Sequence, residues 1–312
     1  MRGPCFFQRA ETKCWSGVRL LTAVRAVIVW WMFGLTNLGL GPGSLFWLWM
    51  GITSCVGVEQ PEAVDKVDPH VLQPTGVTNA TLTYENPALI TGTIYPSGAS
   101  SDRALFKFKR TVKRSGSTLS VLREYSYPDG KVAARERVVY RDNSLALYEL
   151  DELQTGAKGS AEIESEPSKT GKTKIVFRYT KDASTRAPSG TRSEALVPDT
   201  LVNDMVGPFL MAHWDQLASG GKVGCRYIVL QRRETVGFTF RKESESQWHG
   251  KDVLVVKMEP TSAIISALVD PLHFIIEKAP PHHVLQYSGR TTPKQGSPGH
   301  WTDLDAVTVF DW

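Results

Sequence analysis

The sequence predicts a mainly β chain of the α+β class. The expected architecture is a large curved antiparallel sheet, or open half-barrel, packed around one central helix and preceded by an N-terminal hydrophobic anchor. Three observations predict it. From Arg103 onward, apolar and polar residues alternate in one run after another. One stretch, Asp199 to Gly221, instead repeats its apolar residues every three to four positions. Ahead of both, Ala26 to Val58 contains no charged residue. A period of two marks a strand with one dry and one wet face, and a period of three to four marks a helix with one buried stripe.

The anchor comes first. An uncharged run of this length exceeds the ~20 apolar residues that cross a bilayer. Trp30, Trp31, Trp47 and Trp49 stand near its two ends, as interfacial aromatics do. Basic residues precede the run and acidic ones follow, which places the C-terminal part outside the cytoplasm. The break Gly39-Leu40-Gly41-Pro42-Gly43 argues against one straight helix. Ile52-Thr53-Ser54-Cys55 resembles a bacterial lipobox, with a branched apolar residue, two small ones and the lipid-accepting cysteine. The resemblance implies lipidation at Cys55 and a bacterial envelope protein with its folded domain in the periplasm. The run before Cys55 is longer than the ~15–30 residues of an ordinary signal peptide. An uncleaved anchor and other processing therefore stay open beside lipidation.

Residues 1–55 are thus assigned to signal or membrane anchor and residues 56–102 to a tether. Pro61, Pro69, Pro74, Pro87 and Pro96 punctuate the tether. The β domain takes residues 103–312. Its strands are read from Ala104, Phe106 and Phe108, from Leu122 to Tyr127, Val132 to Tyr140 and Leu145 to Leu150, and from Ile175, Phe177 and Tyr179. Pro128-Asp129-Gly130 and Asp142-Asn143-Ser144 supply turns. The stretches around Gly159 to Lys172 and Ala183 to Arg192 read as surface loops.

The helix is expected over about 199–219. Leu201, Met205 and Phe209 fall four apart, as do Val202, Val206 and Leu210, and Trp214 and Leu217 extend the stripe. Asp199 is placed to cap its start and Gly220-Gly221 to stop it. Pro208 must kink it or open a second helix. Strands then resume through Cys225 to Val229, Val236 to Phe240, Leu254 to Met258, Leu272 to Lys278, Val284 to Arg290 and Val307 to Trp312, with a short helix at Thr261 to Val269. The total is about ten strands, in the spacing of an antiparallel sheet or open barrel.

Charge narrows the partners. Residues 1–55 take five of the 36 basic residues and one of the 32 acidic ones, leaving 31 of each in the remainder. A neutral folded part gives no support to nucleic-acid binding, which depends on phosphate neutralisation.

Chemistry finds little purchase. The cysteines Cys5, Cys14, Cys55 and Cys225 have no zinc-site spacing, and Cys225 reads as a buried structural thiol. His282 and His283 are adjacent, so on a strand they point to opposite faces. No metal or cofactor is expected. His213 and Asp215 lie two apart, which on a helix separates their faces and disfavours acid–base work. No GxSxG elbow, phosphate-binding glycine loop or HExxH is present, and no catalytic residue is assigned. The aromatics of the dry strand faces, with the helix stripe, are the remaining candidates. Phe106, Phe108, Met205, Phe209, Trp214, Tyr227, Phe238, Phe240, Phe274 and Tyr287 either fill a packed core or line an apolar cavity beside the helix.

An anchored N-terminus, a large antiparallel meander and one apolar helix resemble the half-barrel superfamily of periplasmic lipoprotein and lipid carriers. The stretches VGPFLMAHWDQLASGGKVGCRYIVLQRRETVGFTF (Val206 to Phe240) and VDPLHFIIEKAPPHHVLQYSGRTTPK (Val269 to Lys294) are similar to bacterial envelope proteins grouped with that architecture. The resemblance covers about residues 103–312 and rests on element order. It implies a curved sheet whose concave face holds acyl chains, and it transfers no catalytic residue. The expected function is a membrane-tethered periplasmic domain that binds an acyl chain or another apolar ligand without catalysis. An envelope structural protein with a filled core and a protein partner is the alternative. A hydrolase with a dispersed site ranks last.

Overall fold

Every alternating run becomes a strand, and the strands outnumber the expected ten. The computed structural model describes residues 83–98, 103–165, 173–181, 191–267 and 269–312, within a unit spanning Val67–Trp312. The anchor, Cys55, the first part of the tether and most of the Ala183 to Arg192 loop lie outside the described residues. Among the described residues no helix is long and apolar enough to cross a membrane.

The first meander comprises β1 (Leu89–Pro96), β2 (Phe106–Ser115), β3 (Thr118–Ser126), β4 (Val132–Arg141), β5 (Ser144–Glu152), β6 (Ala157–Ser165), β7 (Thr173–Thr180) and β8 (Arg192–Ala195). After β9 (Thr200–Leu201) and a helical segment comes the second: β10 (Lys222–Val229), β11 (Glu234–Trp248), β12 (Lys251–Pro260), β13 (Leu272–Glu277), β14 (Val284–Ser297) and β15 (His300–Asp311). All belong to one open, 15-stranded sheet in the order β8 to β1, then β15 to β9. Neighbours are antiparallel except β9 and β10, which run parallel. The meanders join where β15 pairs with β1, from Thr91 opposite Asp311 to Pro96 opposite Ala306.

The two edge strands, β8 and β9, are consecutive in the chain. No ladder links β8 to the second meander, but side chains do. The Thr235 N–H donates to the Glu194 carboxylate at 2.6 Å, and Arg192 pairs with Glu234 at 3.2 Å. β8 is short and charged, which discourages pairing of that edge with other chains, and the two residues of β9 are buried.

Three expectations need correction. Leu89–Pro96, inside the stretch assigned to the tether, is an interior strand, because Pro87 and Pro96 bound the alternation of Ile90, Gly92 and Ile94 rather than interrupt it. Gly92 is required there, since a Cβ would lie 2.6 Å from the Val309 carbonyl oxygen. Ala157–Ser165, most of it read as a surface loop, is β6, paired on both sides. Three of its inward residues, Ala157, Gly159 and Ala161, are small, and Gly159 fits against Tyr179 and Leu230, where a Cβ would approach to 3.0–3.1 Å.

The third correction concerns the helix. The segment 199–219 is not one helix but a 3-10 turn (Asn203–Met205) followed by α1 (Val206–Ala212) and α2 (Trp214–Ala218). Asp199 caps nothing. It sits at φ +54, and its carbonyl accepts the Arg226 N–H at 2.9 Å, which starts β9 beside β10. Pro208 lies in the first turn of α1, where backbone N–H groups have no intrahelical partner, so it costs no hydrogen bond. The break falls at His213 (φ −107, ψ 18). The stop at Gly220 is as expected: with φ +89, it sends its N–H to Leu217 and the Gly221 N–H to Gln216. The stripe itself is buried except for the half-buried Trp214, with Leu201, Val202, Phe209, Leu210 and Leu217 at most 1% exposed. At Thr261 to Val269 the helix is a four-residue α3 (Ala263–Ser266).

The larger core cluster joins this stripe to both meanders, through Val138, Tyr140 and Phe177 on one side and Phe240, Leu254 and Ile276 on the other. A smaller one, with Ile94, Phe106, Phe108 and Tyr125, sits near the β1–β15 junction.

Candidate functional site

α1 has two faces. Phe209 and Leu210 are buried in the core, with Phe209 against Phe240 at 5.7 Å between ring centroids. Pro208 and Met211 instead border a cavity of about 1310 Å³. That exceeds the ~300–1,000 Å³ of common small-molecule sites. The second meander lines it with Val236, Phe238, Met258, Leu272, Phe274 and Tyr287. These rings pack edge to face and tilted, Tyr227 on Phe238 at 5.9 Å and Phe274 on Tyr287 at 5.2 Å.

The first meander contributes charge to the same cavity. Register aligns Arg110, Arg123 and Glu136 across β2, β3 and β4. All three lie on the inner face, in phase with Phe108, Tyr125 and Val138. Glu136 has no exposed surface. Arg123 donates to its Oε2 at 3.0 Å, Asn203 to its Oε1 at 2.6 Å, and Thr292 to Oε1 as well. The Tyr227 hydroxyl in turn donates to Asn203. The helical segment is therefore tied through Asn203 to β4, β10 and β14 together.

Arg110 forms a second buried pair with Asp204, at 2.6 Å from Nε and 3.2 Å from Nη2. Tyr140 donates to the same carboxylate at 2.8 Å. Arg110 also donates to the carbonyls of Tyr84 and Pro87, both at 2.6 Å. Tyr84 stacks on Tyr140 at 4.1 Å, which fixes the approach to β1.

These surroundings shift the phenols. Burial and then the Asp204 charge push Tyr84 up to about 12 and hold Tyr140 well above its usual value. Burial and then Glu136 do the same to Tyr148 and Tyr227. For Arg123, burial works against the charge, but the Tyr125 and Glu136 oxygens more than offset it and leave its pKa raised. Neutral tyrosines and charged, paired Arg123 are the forms present near neutrality.

Where Lys294 enters the lining, it pairs with Asp303 at 2.8 Å and with the buried Glu152 at 3.6 Å. Arg290 reaches both Asp303 and Asp305. The lining also includes His282 and His283, whose rings stack on Trp214 at 3.8 Å and Trp312 at 4.1 Å. Among the described residues no three His, Cys, Asp or Glu side chains gather as a metal site would.

Of the ten aromatic and methionine candidates, Phe108, Tyr227, Phe238, Phe274 and Tyr287 line the cavity. The structure sets the other five apart from the lining. Phe106 belongs to the smaller core cluster, and Met205, Phe209 and Phe240 to the larger. Trp214 is half-buried against the larger cluster and His282. On α1 the Phe209 ring faces Phe240, while Met211 and Pro208 border the void. His213 is buried, and its Nδ1–H donates to the Phe209 carbonyl at 2.9 Å, so it closes the end of α1. Cys225 is buried, and burial pushes its thiol up to about 12. Cys55 lies outside the described residues.

Sequence reading missed Arg110, Arg123, Glu136, Asn203 and Asp204. For three of them a signal existed. Arg110 continues the parity of Phe106 and Phe108, Arg123 that of Val121 and Tyr125, and Glu136 that of Ala134 and Val138. A charge in the dry phase of a strand marks a paired or functional site. Comparisons with family models, curated proteins and solved structures return no match.

Proposed function

We propose that the chain is a membrane-tethered periplasmic protein whose β domain binds an acyl chain, or another elongated apolar ligand, without catalysing a reaction on it. The carrying observation is the cavity of about 1310 Å³ bordered by the inner face of the sheet and by α1. Its apolar side, from Phe238 to Tyr287, offers aromatic and aliphatic contacts without a charged interruption, which suits an alkyl chain. The open sheet, with a helical segment packed against both of its meanders, supports the half-barrel reading. The uncharged run before Val58 and the lipobox-like Cys55 support tethering at a bacterial membrane.

Native mass spectrometry of the full chain, released from detergent after expression in a bacterial envelope, tests the binding. A mass excess that matches a lipid and disappears on organic extraction is the expected result. A bare mass after incubation with phospholipids, fatty acids and neutral lipids contradicts it. A second reading draws on the dense packing of Phe106, Phe209 and Phe240: an envelope interaction protein whose core is its product and whose loops meet a partner protein. The bare mass is the outcome that favours it.

A further inference from the structure

Among the described residues three acidic side chains line the cavity, Glu136, Asp204 and Asp303, and each is already engaged. Glu136 accepts from Arg123, Asn203 and Thr292. Asp204 accepts from Arg110 and Tyr140, and Asp303 from Arg290 and Lys294. Five cationic side chains stand in the same lining: Arg110, Arg123, Arg232, Arg290 and Lys294. Arg232, Lys294 and Arg290 have further acidic partners beside the lining, in Glu234, Glu152 and Asp305.

Arg123 is the cation with capacity to spare. Its side chain is 13% exposed, and its Nη1 donates to Glu136. Among the described residues it makes no second hydrogen bond. No buried side-chain nitrogen or oxygen lacks a partner there, so the unused Nε and Nη2 edge opens onto cavity space. The guanidinium carbon lies over the Phe108 ring, 5.2 Å from its centroid. With Phe108 beside it and Nη1 tied to Glu136, it presents its Nε–H and Nη2–H as a parallel pair of donors. That edge matches a carboxylate in two-point contact. Tyr148, 5% exposed and lining the same wall, adds a hydroxyl.

We infer that the Nε and Nη2 edge of Arg123 is the head-group site of the cavity and takes the carboxylate of a free long-chain fatty acid, whose tail lies along Phe238, Phe274 and Tyr287. The inference rests on the acyl-binding reading and sharpens it. A carboxylate fits better than a phosphate monoester. The neighbouring Glu136 charge repels a dianion about twice as strongly as a monoanion at the same separation, and the two-donor edge is filled by two oxygens.

The test uses the full chain in detergent, titrated with palmitate and with methyl palmitate, an ester of nearly the same shape and no charge. Wild type should bind palmitate at least roughly tenfold more tightly, the scale of a charge-assisted hydrogen bond. Arg123→Gln should remove that preference, bringing palmitate binding down to the level of the ester. Where Arg123→Gln alone fails to fold, because Glu136 is then buried without its partner, Arg123→Gln with Glu136→Gln removes both charges and should give the same loss of preference. Equal binding of acid and ester by wild type overturns the head-group site while leaving the acyl-binding reading standing. A preference that survives in either variant does likewise. Binding of neither ligand overturns both.

Discussion

Two parts of the inner face line one cavity with different chemistry, a charged row on β2 to β4 and an apolar one on β11 to β13. The first carries Arg110, Arg123 and Glu136 on its inner face, and the second carries Val236, Phe238, Met258 and Phe274 on the equivalent face. The apolar face needs only close contact, and its residues follow simple alternation. The charged face depends on register, because each group is tolerable only while its partner stands on the next strand or on the helical segment. Arg110 and Arg123 lie directly opposite one another, which would repel were Asp204 and Glu136 not placed to take one each. A slip of one residue in β3 or β4 would strand these charges in the core, so the row specifies register more strongly than the apolar strands do.

Removing one partner from the charged face should have the largest effect. Asp204→Ala leaves Arg110, 5% exposed, without its counter-charge. The expected loss is ~3–5 kcal/mol, a large share of the ~5–15 kcal/mol that a domain commands. Urea denaturation of the full chain measures it. A loss under ~1 kcal/mol would mean that water reaches Arg110 and that the row is not dry.

Truncation on the apolar side comes next. Phe209→Ala should cost ~3–4 kcal/mol, because Phe209 is 1% exposed and fully surrounded by core. The loss should be the same with and without added lipid, since the ring does not border the cavity. A lipid-dependent loss would move Phe209 to the lining.

Alkaline titration reads the charged face as a whole. Burial and the Asp204 charge raise Tyr84 from its ordinary 10.0 to about 12, and burial with Glu152 raises Tyr179 to about 12. A raised folded-state pKa means that the unfolded chain gives up its proton first. The stability contributed is complete below pH ~10 and falls as pH rises toward ~12. Phenolate absorbance should therefore rise together with unfolding. Ionisation of most tyrosines near pH ~10 in a chain that remains folded would contradict their burial.

The smallest effect belongs to the outer face. Arg137 and Glu149 pair across β4 and β5 at 3.0 Å, with side chains 51% and 42% exposed. Arg137→Ala should change stability by no more than ~1 kcal/mol and less in high salt. An effect near that of Asp204→Ala would erase the contrast between paired charge inside and outside the sheet.

Much of this fold was legible in the sequence. Strands with β-branched or aromatic inward residues, such as β7 and β11, announce themselves, and so does the stripe from Leu201 to Leu217. Its breakage does not, because a stripe records which side is buried and not whether the backbone is continuous. Leu201 is buried from an extended strand, and Phe209 from a helix that ends at His213. β6 escaped because Gly159 and Ala161 are small for the sake of a close neighbour, and small residues weaken the hydrophobic signal. Half of the candidate site residues reached the cavity because alternation fixes a side chain's face but not its height along the strand. Height is what separates Phe238 in the lining from Phe240 in the core. The charged row was written in the parity of β2, β3 and β4, where each charge takes the place of an apolar residue. The turn at Asp142 and Asn143 was legible too, since both adopt positive φ, the conformation a tight hairpin asks of Asx residues.

The central claim is that one part of the inner face borders open space and another part is filled, and a pair of valines tests it. Val236 lines the cavity, whereas Val256 is fully buried in the packed core and does not. Thermal unfolding of Val236→Phe and Val256→Phe, each with and without added palmitate, is the decisive measurement. Val236→Phe should keep or raise the melting temperature of the apo protein and remove the rise that palmitate gives wild type. Val256→Phe should lose ~1–3 kcal/mol to overpacking and keep its palmitate response. Equal destabilisation by both, with no palmitate response in wild type, would show that the cavity is closed in solution.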